Sequence, residues 1–388
     1  MKIKELWFKN NRHKWELEKT AFSDLTLLVG ASGVGKTQTL NTIMKLIRIS
    51  MGNALNGVEW DFHFTVDNGE NFRWTGEFEN LKETEQLEFT GSDFSSIGNI
   101  LPIPKILKEE LYMGDELIFK RKESNLEYKE IEIPKISPFS SVLSFFRPEE
   151  ISSVRKSFLK IAQINYSHEQ VGFINANIIA DLSKIIREAQ SEMSKNGNFA
   201  NNFPVKTIRD INVLLMLKFF LVWQLDKEVF QELINEFKDI FPQVEDVRFE
   251  ILQKQEVYEL QIKERGTDWI SRNEISSGMF KTLMHIAEMK LLADGSVVLI
   301  DEFENSLGVN CIDAVADGLI NPGRDIQYII TSHHPYIINN IDMKYWKVVM
   351  RKGAKVFTKN AEQLKLGKSK HEAFKQLLNL EEFAEGIS

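Results

Sequence analysis

The run from Leu25 to Thr37 constrains this chain more than any other stretch of it. Leu25-Thr26-Leu27-Leu28-Val29 reads as a strand buried on both faces, and it leads directly into a glycine-rich turn and a helix predicted from Lys36 to about Ile49. The turn, Gly30-Ala31-Ser32-Gly33-Val34-Gly35-Lys36-Thr37, matches the phosphate-loop pattern G-x-x-x-x-G-K-[ST] at every position. Gly33 and Gly35 let the backbone curl so that successive N–H groups meet phosphate oxygens, and the helix start adds a partial positive charge. Lys36 is placed to reach the β- and γ-phosphates, and the Thr37 hydroxyl suits Mg²⁺.

A second segment belongs to the same chemistry. Val297-Val298-Leu299-Ile300 is an apolar strand that ends in two carboxylates, Asp301 and Glu302. Such a strand delivers its acids to the edge of an open α/β sheet where ligands bind. Asp301 suits a metal contact, direct or through water, and Glu302 the orientation or deprotonation of an attacking water.

Around these anchors the pattern alternates. Strands are expected at Ile3–Phe8 and Lys14–Glu18. A hairpin follows, running from Trp60–Val66 through Asn68-Gly69 to Phe72–Trp74, and Leu117–Arg121 with Leu126–Ile133 forms another. After Pro148 helices are expected at Glu149–Gln163, around Ile179–Ser194, at Ile211–Leu225 and at Glu228–Ile240, with a loop at Asn196–Asn202. Strands return at Val247–Leu252 and Val257–Ile262. Helix Gly278–Leu292, strand Val297–Ile300, helix Val309–Leu319, strands Ile326–Thr331 and Trp346–Met350 and a helix at Lys370–Phe383 complete the pattern.

Three further strings narrow the class: Ile275-Ser276-Ser277-Gly278 before a helix, Asp301-Glu302-Phe303-Glu304-Asn305-Ser306-Leu307, and Thr331-Ser332-His333-His334-Pro335 after an apolar strand. In order and spacing they resemble the signature motif, the D-loop and the switch histidine of ABC-type ATPases. The Ser-Ser-Gly signature, the Asp-Glu-x-Glu-Asn-x-Leu string and the Ser-His-x-Pro form resemble the SMC, Rad50, RecF and OLD-like group of soluble ATPases, and Ser140-Ser141-Val142-Leu143-Ser144 resembles OLD-like ATPases. The resemblance implies an α/β fold: a P-loop ABC-type ATPase head with a β-hairpin subdomain and a helical insertion. It implies ATP and Mg²⁺ as cofactors and ATP hydrolysis as the activity. Gly30, Ala31, Ser32, Gly33, Val34, Gly35, Lys36, Thr37 and Gln38 would hold the ATP, Thr37 and Asp301 the metal. Glu302 and His333 would be catalytic and Asn305 the D-loop residue. Ser276, Ser277 and Gly278 would act in trans, on ATP sandwiched between two heads. The chain departs from the pattern at Met279, where many relatives carry Gln or Glu, and at Gly308, where transporter D-loops carry Asp. No Q-loop glutamine stands out; Gln163 and Gln170 are the candidates.

Of the 388 residues, 43% are apolar, enough for a sizeable core, and the expected division is 1–54, 55–134, 135–245 and 246–388. The two motif halves thus form one head split by its insertion. About 240 residues separate Thr37 from Ser276 without heptads, so no long coiled-coil arm is expected. The 55 residues after His333 leave no Toprim-type nuclease expected. A standalone head of this kind resembles the ATPase subunits of antiphage systems such as Septu, PARIS and certain retrons, which implies a separate effector, a nuclease or toxin, gated by a homodimer or higher homo-oligomer formed through the heads. A RecF- or SMC-like repair or chromosome-maintenance ATPase acting directly on DNA, and a slow-turnover ATP-binding scaffold or sensor, are the alternatives.

Charge leaves nucleic acid open. The net value of -8 hides +5 in residues 1–50, +4 in residues 341–388 and -17 between them. The basic tail, with Lys365, Lys368, Lys370 and Lys375, could meet DNA or RNA or form a solvated face. One cysteine, Cys311, and no apolar run near ~20 residues fit a cytoplasmic chain without a membrane span. The most apolar segment, Val213–Trp223, reads as a buried helix, or as an interface for oligomer or effector.

Overall fold

The computed structural model describes residues 1–81, 102–164, 173–175, 205–211, 213–253, 257–305, 307, 309–320, 323–365 and 375–376. The expected segments Ile179–Ser194 and Asn196–Asn202, together with Gln170, Ser306, Gly308, Lys368 and Lys370, lie outside the described residues, as does nearly all of Lys370–Phe383. Two compact units divide the chain. The first comprises Met1–Gln163, Val297–Asp301 and Gln327–Ser388, the second Ile164–Ser296 and Glu302–Ile326.

The first unit opens with β1 (Lys2–Asn10), β2 (Trp15–Ala21) and β3 (Leu25–Val29), then helix α1 (Lys36–Ser50). Strands β4 (Val58–Thr65), β5 (Asn71–Phe78), β6 (Ile106–Met113), β7 (Glu116–Lys122), β8 (Asn125–Tyr128) and β9 (Ile131–Ile133) follow. Then come α2 (Val142–Phe145), α3 (Glu149–Phe158) and β10 (Ile161–Ile164). In the second unit lie β11 (Phe173–Asn175), α4 (Val205–Asp210), α5 (Leu215–Leu225), α6 (Lys227–Ile240), β12 (Val244–Leu252), β13 (Val257–Glu264), β14 (Trp269–Ile270) and α7 (Ser277–Leu291). The remaining elements are β15 (Ser296–Ile300), α8 (Val309–Ile320), β16 (Ile326–Thr331), α9 (Pro335–Asn340), β17 (Trp346–Lys352) and β18 (Lys355–Asn360).

One 14-stranded sheet runs β10-β15-β16-β3-β17-β18-β2-β1-β4-β5-β6-β7-β8-β9. Its centre is parallel: β3 lies between β16 and β17, with Thr331 beside Leu28 and Val348 beside Val29. All five residues of β3 and all six of β16 are buried, as strands covered on both faces must be. Because β3 and β16 run parallel in register, the phosphate loop after Val29 and the Ser332-His333 turn emerge at the same sheet edge.

From β1 to β9 the sheet becomes an antiparallel meander with one buried face. β4 alternates buried and half-buried through all eight residues, and Trp60, Phe62 and Phe64 line its inner side. Trp60 meets Trp74 edge-on at 5.1 Å, and Phe64 meets Phe158 of α3 at 4.9 Å. In β6 the alternation fails because Glu109 is fully buried, and that strand does not stand out in the sequence. Its carboxylate accepts from Trp74 Nε1 at 3.0 Å, Ser141 Oγ at 2.5 Å and Val142 N at 3.0 Å, and it pairs with buried Arg121 at 3.5 Å. The Ser140–Ser144 string is thereby pinned, with Ser141 capping α2.

Three expectations need correction. The helix expected at Glu149–Gln163 stops at Phe158, and Ile161–Ile164 becomes β10 at the sheet's edge. The strand expected at Leu126–Ile133 is broken by Lys129 and Glu130, both with positive φ, into β8 and β9. The helix expected from Ile211 begins at Leu215, and Leu214 stays 82% exposed.

In the second unit, β12 pairs with β13, which also pairs with β11 and β14. Helix α5 buries Met216 to Val222, which makes the apolar segment core: Phe220 lies 5.2 Å from Phe249 and 4.9 Å from Tyr258. The one charge there, Lys218, reaches the Arg209 carbonyl at 2.5 Å. No described helix is long and apolar enough to cross a membrane.

Candidate functional site

The phosphate loop begins where β3 stops. At Gly30, φ is 153°, and a Cβ would stand 2.6 Å from the Val349 carbonyl oxygen, so no side chain fits. Gly33 and Gly35 continue the turn at φ 81° and 113°, and Gly35 is the N-cap of α1. A positive-φ turn opening into a helix of 15 residues makes an anion cradle, with backbone donors left over at the helix start. Val34 is buried under it, Ala31 and Gln38 are half-buried, and Ser32 is exposed. Lys36 folds back over the cradle, its Nζ donating to the Gly30 and Ala31 carbonyls at 2.8 Å each.

Asp301, at the end of β15, gathers two hydroxyls on one carboxylate oxygen. Thr37 Oγ1 donates to Oδ1 at 3.0 Å, and Thr331 Oγ1 donates to the same oxygen at 2.7 Å. These oxygens fit Mg²⁺: ligands at adjacent corners of an octahedron with bonds of ~2.0–2.1 Å stand about 2.9 Å apart. The hard-oxygen donor set, one hydroxyl and one carboxylate, matches that ion's preference for few protein ligands beside phosphates. Nothing in the sequence announces the role of Thr331. Its only trace there is a hydroxyl closing the run Ile326-Gln327-Tyr328-Ile329-Ile330.

His333 is exposed at the same edge, directly after buried Ser332. Its neighbour His334 acts locally, since its Nδ1 accepts from the Tyr336 amide at 3.3 Å and caps α9. Gln163, at the end of β10, donates to Asn41 Oδ1 at 3.4 Å, and Asn41 lies one helical turn beyond Thr37.

The signature and D-loop strings fall in the second unit, as does Glu302. Glu302 is exposed with φ 48°, a left-handed conformation that a non-glycine residue holds only at a cost of about 1–3 kcal/mol. Ser276 is the N-cap of α7, accepting from the Met279 amide at 3.2 Å, and Ser277 and Gly278 form the first turn. Asn305 is exposed, and its carbonyl accepts from Lys281 Nζ of α7 at 2.7 Å, tying the turn after β15 to the helix that Ser276 caps. The phosphate loop, Asp301, Thr331 and His333 belong to the first unit.

A parallel centre that carries a phosphate loop on one strand and an acid on the strand next but one is the architecture of a P-loop ATPase. The chain belongs to the family described as "AAA domain, putative AbiEii toxin, Type IV TA system", whose model matches residues 25–339. Among solved structures it is similar to an SMC head bound to the C-winged helix domain of ScpA, at 14% identity and TM-score 0.44 over 92% of this chain and 98% of that one. It is also similar to the SMC head domain from Thermotoga maritima, at 12% identity and TM-score 0.41 over 93% and 99%. A third is an Smc head with an extended coiled coil bound to the C-terminal domain of ScpA derived from Pyrococcus furiosus (14%, TM-score 0.43, 94% and 98%). No curated protein sequence matches the chain.

Proposed function

We propose that this protein binds ATP with Mg²⁺ and hydrolyses it, and that two heads sandwich the nucleotide so that turnover gates a partner effector. The observation that carries the reading is the convergence of Thr37 and Thr331 on one oxygen of Asp301 at the mouth of the phosphate loop. Mg²⁺ at that place would neutralise charge as the γ-phosphoryl group leaves. Lys36 would exchange its two carbonyl partners for β- and γ-phosphate oxygens. Glu302 would orient and deprotonate the attacking water, and its strained backbone supports a placement made for chemistry. His333 would contact the terminal phosphate, and Gln163, beside α1, would serve as the Q-loop residue.

Ser276, Ser277 and Gly278 would close the site from the second head, with Asn305 at the head–head junction. Their helix-start geometry supports this, since such a turn offers hydroxyl and amide donors to an anion. The toxin–antitoxin wording of the family supports a role in a toxin–antitoxin type of system; a separate effector, nuclease or toxin, and a place in antiphage defence are part of the same proposal.

Nucleotide binding and phosphate release, measured on the full chain and two variants, test the reading. Lys36→Ala is expected to lose ATP binding. Glu302→Gln is expected to retain ATP while turnover falls by about 10²–10⁴, the scale of a general base. Wild-type turnover in Glu302→Gln excludes that residue as the base. Background turnover with tight retention in the wild type would instead favour a sensor that holds ATP.

A further inference from the structure

On the side of β3 away from Asp301, the hairpin of β17 and β18 packs into the phosphate loop. The Val349 carbonyl abuts Gly30, and a Cβ at Gly35 would stand 2.8 Å from Val356 Cγ2. The same hairpin carries Arg351. Its Nε donates to the Gly353 carbonyl at 2.7 Å, and its Nη1 approaches the Gly33 carbonyl at 3.5 Å. The guanidinium is therefore tied to its own turn at one edge and leans on the loop at the other. Arg351 is exposed, and among the described residues no carboxylate pairs with it. A guanidinium carries five donors, and carbonyl contacts leave its charge uncompensated.

With Thr37 and Asp301 read as the metal end, sheet order gives a bound nucleotide a direction. Asp301 ends β15, two strands from β3 on one side, and Arg351 sits on β17, the neighbouring strand on the other. Thr37 and Asp301 mark the end that takes the metal and the terminal phosphates. The α-phosphate and the nucleoside then extend toward β17 and β18. We propose that Arg351 is a further residue of the nucleotide site, holding the α-phosphate side of a bound nucleoside triphosphate through its charge. This rests on the reading of residues 30–37 as the phosphate loop.

A rival role exists on the same geometry: Arg351 as a neutral brace for the Gly33 carbonyl. The two roles separate by substitution, because Gln keeps a donor without charge and Lys keeps charge without the fork. Equilibrium titrations of the full chain with the non-hydrolysable analogue AMP-PNP and with ADP, each with Mg²⁺, read the difference. Arg351→Gln is expected to weaken both nucleotides by the same factor, about tenfold, the scale of one charge-assisted hydrogen bond. Arg351→Lys is expected to recover most of that loss, and binding by Arg351→Gln to depend less steeply on salt.

Wild-type affinity in Arg351→Gln, alongside lost binding in Lys36→Ala, overturns the proposal and leaves the phosphate-loop reading standing. Equal weakness of the Gln and Lys variants also overturns it, leaving a brace. Wild-type affinity in Lys36→Ala removes the underlying reading itself.

Discussion

The Thr37 hydroxyl and the Asp301 carboxylate, 264 residues apart in the chain, meet at 3.0 Å. The contact exists because β3, β16 and β15 lie side by side and end at one edge, with Thr331 between the other two. A hydroxyl from the phosphate loop and another from the neighbouring strand thus hold one carboxylate oxygen in place.

Thr331→Val removes one of those two hydroxyls and keeps the shape of the side chain. Since Asp301 retains Thr37, the expected result is partial: ATP turnover falls about tenfold, and the Mg²⁺ concentration for half-maximal turnover rises. Asp301→Asn, which removes the charge, is expected to lose about 10²-fold or more. A Mg²⁺ titration of phosphate release checks both; an unchanged Mg²⁺ requirement in Thr331→Val would separate Asp301 from the metal.

The sandwich arrangement predicts complementation. Lys36→Ala lacks a working phosphate loop, and Ser276→Arg places a bulky charge at the start of α7. Each is expected to be inactive alone. Mixed, the two leave one intact composite site in each heterodimer, so activity should return to at most about half of the wild-type level. No recovery on mixing would mean that the signature does not act in trans.

Glu109 and Arg121 are both 0% exposed, so the pair is a stability determinant of the first unit. Burial pushes the Glu109 carboxyl above the usual carboxylate range, against hydrogen bonds from Ser141 and Val142 and the Arg121 charge. A carboxyl raised in this way supports the fold fully below its unfolded value of about 4.3 and loses that contribution as pH rises through its folded value. Glu109→Gln does not titrate there. Its melting temperature relative to wild type is therefore expected to climb as pH rises above about 4.3; a constant difference sinks the idea. Arg121→Met removes the charge that opposes this shift and the donors to the Glu123, Ser137 and Ser140 carbonyls, and is expected to lower the melting temperature at neutral pH.

Helix α5 predicts a contrast within one segment. Phe220, packed on Phe249, Tyr258 and Trp223, is expected to cost about 3–5 kcal/mol when replaced by Ala. Leu214, 82% exposed at the start of that helix, is expected to change stability by less than about 0.5 kcal/mol as Leu214→Ser. Chemical denaturation measures both.

Strands β3 and β16 were legible to the residue because strands covered on both faces carry apolar side chains without alternation. The phosphate loop was legible for a related reason. Its chemistry is local, and each glycine answers to its own backbone. Leu126–Ile133 misled because a turn at Lys129-Glu130 uses positive φ without glycine. The helix expected at Glu149–Gln163 misled because the sheet ends that helical run early by recruiting Ile161–Ile164 as an edge strand.

By itself, then, the sequence determined the segments whose physics closes within a few residues: the buried strands, the phosphate loop and the acidic strand end. Tertiary structure alone decided what those segments meet. Glu109 reads as a surface acid until Trp74, Ser141 and Arg121 surround it. Thr331 reads as an ordinary strand end until Asp301 arrives from the neighbouring strand, and Arg351 as one more surface cation until β17 runs beside β3. Hydrogen bonds and charges act over a few ångströms in space, and only the order of strands in the sheet says which distant residues share them.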